Sequence, residues 1–406
     1  MVKIDSNGSA RRGAVYIYFS LLIALIFGLA SSSLTARWMP ESELGLYRFV
    51  ISCVAVIASS MTLGMLSSAG TLLAGRGRRT FRTLVARGAS TQAWLVAGGC
   101  AVGVGVALGF NGNQELSGFW VLAALLGGAT AWPLLLQEVL RASASFKGLA
   151  ILNAAPTVMF LLLLGGSNLL SWPLNATLCA SLFFLSQGIV AFFLISHYGI
   201  AIKPYRVGFA YLLKRNTSLG LNVYWASFLA ALSAQAGIFS LQFVKTPADV
   251  AIFSLAVTVS APLTMLPSAV GTAYFSRLAS GNRFPPNVLR YSWLVATFLA
   301  VCFGMVVPFA VQFLYGDRYK GVSFSAQICG VAAVLHGMGD VYNRFFLANR
   351  ETRLLLGVVS VVCLISIIVS LVAGLFFGSV GASFARLIAS GVYVGVFGYI
   401  YHVRRC

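Results

Sequence analysis

His336, Asp340 and Arg344 recur at every fourth position inside one apolar stretch, so a helix there carries all three on one face. An Asp340–Arg344 ion pair near the helix end is the plainer reading. Asp340 or His336 as a proton- or ion-coupling site is the sharper one, because an ionisable group in lipid is costly enough to need a reason. Arg48 and Arg386 lie inside two other apolar stretches, where a charge costs roughly 2.5–3.5 kcal/mol or more at the bilayer centre. Facing a wet cleft, they would hold a positive field where an anionic group must pass. Otherwise each snorkels to the interface, or Arg48 pairs with an acid such as Glu43. Asn222, Tyr224 and Gln235, with Tyr18 as the counterpart of Tyr224, are polar or amphipathic side chains suited to a sugar or an ion. Placement in an interfacial aromatic belt accounts for Tyr224 and Trp225 equally well. Glu138, three residues before Arg141, reads as half of a structural pair.

Other chemistries have no foothold. There is no G-x-x-x-x-G-K-[ST], no H-E-x-x-H and no G-x-S-x-G. His197, His336 and His402 are too scattered for a metal site. A membrane polymerase or glycosyltransferase would be expected to show a large polar loop with clustered acids, whereas a long outward loop here is only "GFNGNQELSG". Cys53, Cys100, Cys179, Cys302, Cys329 and Cys363 fall within apolar stretches without C-x-x-C spacing and read as small packers. The expectation is transport rather than catalysis, with no metal and no cofactor.

The elements that position these residues follow from composition. The chain is 59% hydrophobic and 9% charged, against about 25% charged in soluble domains. About twelve stretches are long enough to cross a hydrocarbon core of about 30 Å, from 14–36 to 380–402. Unpaired backbone is costly in lipid and no period-2 barrel pattern is present, so all are helices. The first stretch follows Arg11 and Arg12 and is too long for a signal h-region, which makes it a retained span. Alternating the loops places all 28 Lys and Arg on one side except Arg37, Arg48, Lys245, Arg318, Lys320 and Arg386. By the positive-inside rule that side is cytoplasmic, with both termini. Topology and attraction to anionic lipid therefore account for most of the +19 charge, and nucleic acid is not expected as a partner.

The chain also restates itself. "PESELGLYRFV" from Pro40 and "PADVAIFSLA" from Pro247 share a Pro, then an acid (Glu43, Asp249), then an aromatic (Tyr47, Phe253). At the same offset of 206, Tyr18 falls on Tyr224, Phe19 on Trp225, and "LRASASFK" on "FLANRETR". Six spans per copy make the repeat parallel, one of the symmetries of secondary transporters. The expected fold is an all-α polytopic membrane protein of two six-helix lobes, 1–203 and 204–406, with a central cleft. The 198–217 segment mixes apolar residues with Lys203, Arg206, Lys214 and Arg215 and reads as a short helix on the cytoplasmic leaflet. Gly99/Gly103 and Gly105/Gly109 are GxxxG pairs that let helices approach closely.

Four stretches carry a resemblance over the length of the chain. "ESELGLYRFVISCVAVIASSMTLGMLSSAGTLLAGRGRR", "PADVAIFSLAVTVSAPLTMLPSAVGTAYFSRLAS", "FLYGDRYKG" and "GSVGASFARLIAS" resemble, in order, segments of the polysaccharide-unit flippases. These are Wzx-like oligosaccharidyl-lipid transporters of the multidrug/oligosaccharidyl-lipid/polysaccharide (MOP) exporter superfamily. The resemblance implies a bacterial inner-membrane protein that moves undecaprenyl-pyrophosphate-linked oligosaccharide from the cytoplasmic to the periplasmic leaflet, for O-antigen, capsule or exopolysaccharide assembly. It also implies membrane lipids, a polysaccharide polymerase and chain-length machinery as partners. Two departures stand out. Lipid II flippases of the superfamily usually have two further spans. Its multidrug exporters use acidic coupling residues in the amino-terminal lobe, and the first span here, "AVYIYFSLLIALIFGLASSSL", has none. An ion-coupled small-molecule exporter is the alternative, carried by Asp340.

Overall fold

A computed structural model describes residues 8–74, 79–109, 117–200, 202–219, 221–279, 284–349 and 351–403. Backbone amides in lipid must find partners inside the chain. Accordingly, among the described residues the regular structure is helical throughout, with no strand. Among the described residues, eleven helical segments are long and apolar enough to cross a membrane, and the last, Thr352–Val403, has 52 residues. At about 1.5 Å per residue it is more than twice as long as the hydrocarbon core is thick. Gly378, at φ 56° and ψ −135°, breaks it in two. The chain is thus a multi-pass membrane protein with about twelve apolar crossings, as the sequence predicts.

One compact unit comprises Met1–Trp38 and Val50–Tyr224. It contains α1 (Gly8–Trp38), most of α2 (Glu41–Met61), α3 (Met65–Ala74), α4 (Arg79–Gly109), α5 (Ser117–Gly127), α6 (Ala131–Ala142), α7 (Phe146–Leu169), α8 (Ala176–Tyr198) and α9 (Arg206–Leu219). α2 and α3 form one span interrupted where Leu63 and Gly64 take φ 46° and 69°. α4 lies close on α2, because a Cβ at Gly99 would strike Met61 and one at Gly103 would strike Ile57. What meets those two glycines is side chain, not the helix backbone that a GxxxG pair would admit; the backbone approach of α4 is instead at Gly88, against Gly208 of α9. Asn175 caps α8 by accepting the Leu178 amide at 2.8 Å, and Gly199 ends the helix in the left-handed region. The amphipathic segment expected near 198–217 is α9, which packs on α4.

The second unit comprises Met39–Phe49 and Trp225–Cys406. Its helices are α10 (Leu221–Val244), α11 (Pro247–Ser260), α12 (Pro262–Ala279), α13 (Pro286–Tyr315), α14 (Gly321–Ala348) and α15 (Thr352–Val403). The two echoing stretches meet here. A Cβ on Gly45 would fall inside the Pro247 carbonyl oxygen. Arg318 donates to the Met39 carbonyl at 3.3 Å. Burial, and then the Glu41 carboxylate, pushes the neighbouring Tyr319 phenol up to about 12, so it stays neutral at physiological pH.

Asp249 links that corner to the last span. Thr246 and Asp249 cap α11 reciprocally, with Thr246 donating to Asp249 Oδ2 at 3.0 Å and the Asp249 amide donating back at 3.4 Å. The other carboxylate oxygen accepts the Ser379 amide at 3.3 Å and so caps the helix that restarts after Gly378. A Cβ at Gly378 would lie 2.7 Å from Asp249 Oδ1 in a conformation almost confined to glycine. Gly378→Ala should therefore destabilise the protein by about 1–3 kcal/mol. Gly357→Ala on the same helix, with nothing within 4 Å, is the control. Thermal unfolding in detergent should show a lowered midpoint for the first variant only.

Candidate functional site

α14 is the hub of the second unit, packed by α11, α12, α13 and α15. Its glycines allow this. A Cβ at Gly339 would enter the Tyr393 ring, and one at Gly337 would crowd Pro267 and the Thr264 carbonyl at 3.1 Å. Tyr393 of α15 can therefore press against α14. His336 stacks on its ring, with centroids 4.9 Å apart and an interplanar angle of 19°. The Tyr393 phenol donates to Asp340 Oδ1 at 3.0 Å and accepts from the Asn343 amide at 2.8 Å. Ser268 of α12 donates to Asp340 Oδ2 at 3.2 Å. Both oxygens of this intramembrane carboxylate are thus engaged, as burial requires.

The ion pair expected between Asp340 and Arg344 does not form. Sharing a helix face brings two residues near each other but does not exclude competitors from neighbouring helices. Here Tyr393 and Ser268 take the carboxylate, while the Arg344 stem lies over Gly271, where a Cβ would come within 3.1 Å of Arg344 Cγ. The Glu138–Arg141 pair does form, at 3.0 Å.

Arg386 lies two turns beyond the Gly378 break. Its charged and polar neighbours include Cys329 and His336 on the facing side of α14. It is half-buried, and among the described residues it makes no hydrogen bond and no ion pair. A guanidinium offers five donors in a rigid fork that fits the oxygens of a phosphate or carboxylate. None of those donors is used by the described protein. His336, one helix away, is exposed although α14 is packed by four helices. The site therefore presents one uncommitted cation beside an accessible imidazole and a carboxylate held by a phenol and a hydroxyl.

The structure brings Arg386, His336 and Asp340 together. Arg48 belongs to the same unit and lies half-buried, its guanidinium carbon 5.6 Å from the ring centroid of Tyr47. Gln235 on α10 is half-buried one turn before Phe239, whose ring meets Phe49 edge-on at 5.8 Å. The other candidates lie in the first unit. Tyr224 is buried, and its hydroxyl donates to the Ser60 carbonyl at 2.6 Å. Asn222 is half-buried and Tyr18 is 56% exposed on α1. Tyr393, Asn343 and Ser268 were not evident from sequence reasoning. Asn343 stands three residues after Asp340 and Tyr393 seven after Arg386, spacings that put each on its neighbour's helix face.

No family model and no curated protein matches the chain. Solved structures do. The lipid II flippase MurJ in an inward closed conformation superposes with a TM-score of 0.78 at 13% identity, over 96% of this chain and 87% of that one. An inward-facing multidrug resistance MATE family transporter of the MOP superfamily gives 0.71 at 12% identity, covering 96% of this chain and 98% of that one. A MOP superfamily transporter from Pyrococcus furiosus, described as having a binding pocket of reverse polarity that suggests a different function, gives 0.66 at 13% identity, over 97% and 95%. The chain shares its fold with these proteins.

Proposed function

We propose that this chain is a flippase for undecaprenyl-pyrophosphate-linked oligosaccharide repeat units. It moves them from the cytoplasmic to the periplasmic leaflet of the bacterial inner membrane, with both its own termini cytoplasmic. The cargo then passes to a polysaccharide polymerase and its chain-length machinery. Carrying an isolated charge through hydrocarbon costs tens of kcal/mol in the Born limit, so a pyrophosphate bearing sugars needs a polar, cationic route. Alternating access through a cationic passage supplies it, while the polyprenyl tail stays in lipid.

The observation that carries this reading is the uncommitted guanidinium of Arg386 inside an apolar span. A structural arginine at that depth would be expected to hold a partner. Arg386 instead can meet an incoming anion with a fork of donors, beside His336 as a further donor when protonated. The likeness to a lipid II flippase over 96% of the chain supports a lipid-linked cargo. Removing the protein should make lipid-linked oligosaccharide accumulate on the cytoplasmic leaflet. Unchanged leaflet distribution would refute the proposal.

Asp340 and the MATE neighbours favour a second reading, an ion-coupled small-molecule exporter. The two readings separate at Asp340→Asn. Asparagine keeps the shape, accepts from Tyr393 and donates to Ser268, so a flippase that relies on Arg386 should keep its activity within about threefold. Export rates of the two single variants decide the matter. If Asp340→Asn is inactive while Arg386→Ala is active, the exporter reading replaces the flippase.

A further inference from the structure

A helix broken within a membrane protein frees carbonyls that must be satisfied elsewhere. At the break between α2 and α3 three side chains do this. Tyr224 donates to the Ser60 carbonyl at 2.6 Å, Gln92 of α4 to Met61, and Asn216 of α9 to Leu63. Just past the break, Ser68 donates to Asn216 Oδ1 at 2.9 Å. Leu63, a bulky residue at φ 46°, is held in a strained conformation by these bonds.

One of these donors, Asn216, comes from the segment joining the sixth and seventh spans, and another, Tyr224, from the start of the seventh; the joining segment is anchored along α4. The Trp94 indole donates to the Ile202 carbonyl at 3.1 Å, and the Tyr205 amide to Thr91 Oγ1 at 2.8 Å. Gly88 and Gly208 let α4 and α9 touch backbone to backbone. Gly208, Leu212 and Asn216 form the buried face of α9 at four-residue intervals. The opposite face is exposed and mixes Val207, Ala210 and Leu213 with Arg206 and Lys214. There is no acidic residue between Glu138 and Asp249. Apolar residues flanked by cations are the pattern of a helix lying in a bilayer interface and drawn to anionic headgroups.

We propose that α9 is a sensor of anionic lipid: its outer face docks on an anionic bilayer surface, and its inner face thereby latches the break in the second span. The reading is independent of the cargo. Docking restrains α9, so Asn216 stays seated on the Leu63 carbonyl and Tyr224 on the Ser60 carbonyl. A neutral surface lets α9 lift and the break loosen.

The test is amide hydrogen exchange of residues 58–68, read by mass spectrometry. The full-length protein is placed in bilayer discs of phosphatidylcholine, with or without phosphatidylglycerol. Exchange should slow about three- to tenfold in the anionic discs, the factor commanded by one net hydrogen bond. A Lys203→Gln, Arg206→Gln, Lys214→Gln variant, altered only at exposed positions, should lose that slowing. Asn216→Ala should exchange fast in both membranes. Equal exchange of the unaltered protein in the two membranes would overturn the proposal, as would a charge-neutralised variant that keeps the lipid dependence.

Discussion

Arg386→Ala should lower transport by about a hundredfold while leaving insertion and yield unchanged. Each hydrogen bond to a charged group contributes about 1.5–3 kcal/mol, and at the lower figure two from one fork come to about 3 kcal/mol, or two decades. Stability should hold because Arg386 makes no hydrogen bond or ion pair among the described residues, so truncation orphans none of them. Arg386→Lys keeps the charge and loses the planar fork, and should retain roughly a tenth of the activity. Surface glycan display at matched protein level measures both. Normal display by the alanine variant would remove Arg386 from the site.

The largest effect on folding is expected at Gly45. The atom that its Cβ would meet is the Pro247 carbonyl oxygen, part of the backbone that opens α11. A side chain can rotate away from such a clash; a proline backbone at a helix start cannot. Overpacking typically costs about 1–3 kcal/mol, and a clash with fixed backbone belongs at or above the top of that range. Gly45→Ala should therefore show a sharply lowered unfolding midpoint and poor yield. Gly98→Ala on α4, with nothing within 4 Å, should behave as the unaltered protein. Equal midpoints for the two variants would mean that the corner between Gly45 and Pro247 is looser than its geometry implies.

The spans were legible because lipid leaves the backbone few options: length and hydropathy fix where helices run. The Pro–acid–aromatic echo was also legible, although its consequence was not. Nothing in "PESELGLYRFV" says that Gly45 abuts the carbonyl of the other copy's proline, because that contact depends on how the helices pack. Interruptions were harder to read. At Gly378 the interruption itself was legible, since it falls between the apolar stretches 354–377 and 380–402, but its cap was not, because Asp249 lies 129 residues earlier. At the site, helix periodicity correctly grouped His336 with Asp340 but wrongly paired Asp340 with Arg344. The partner that won, Tyr393, is one of 15 tyrosines in an aromatic-rich chain and carries no local signal of its role. Gln92 and Asn216 were missed for the same reason, since their partners are backbone carbonyls freed by a break that the sequence does not announce.

Reconstitution tests the central claim most directly. Purified protein is placed in liposomes carrying undecaprenyl-pyrophosphate-linked oligosaccharide, and a sugar-cleaving enzyme kept outside reports which glycans have reached the outer leaflet. Vesicles with the unaltered protein should expose their inner-leaflet glycan to the enzyme, while protein-free and Arg386→Ala vesicles keep it shielded. Glycan that stays shielded with the unaltered protein, or emerges as fast with Arg386→Ala, would contradict the account.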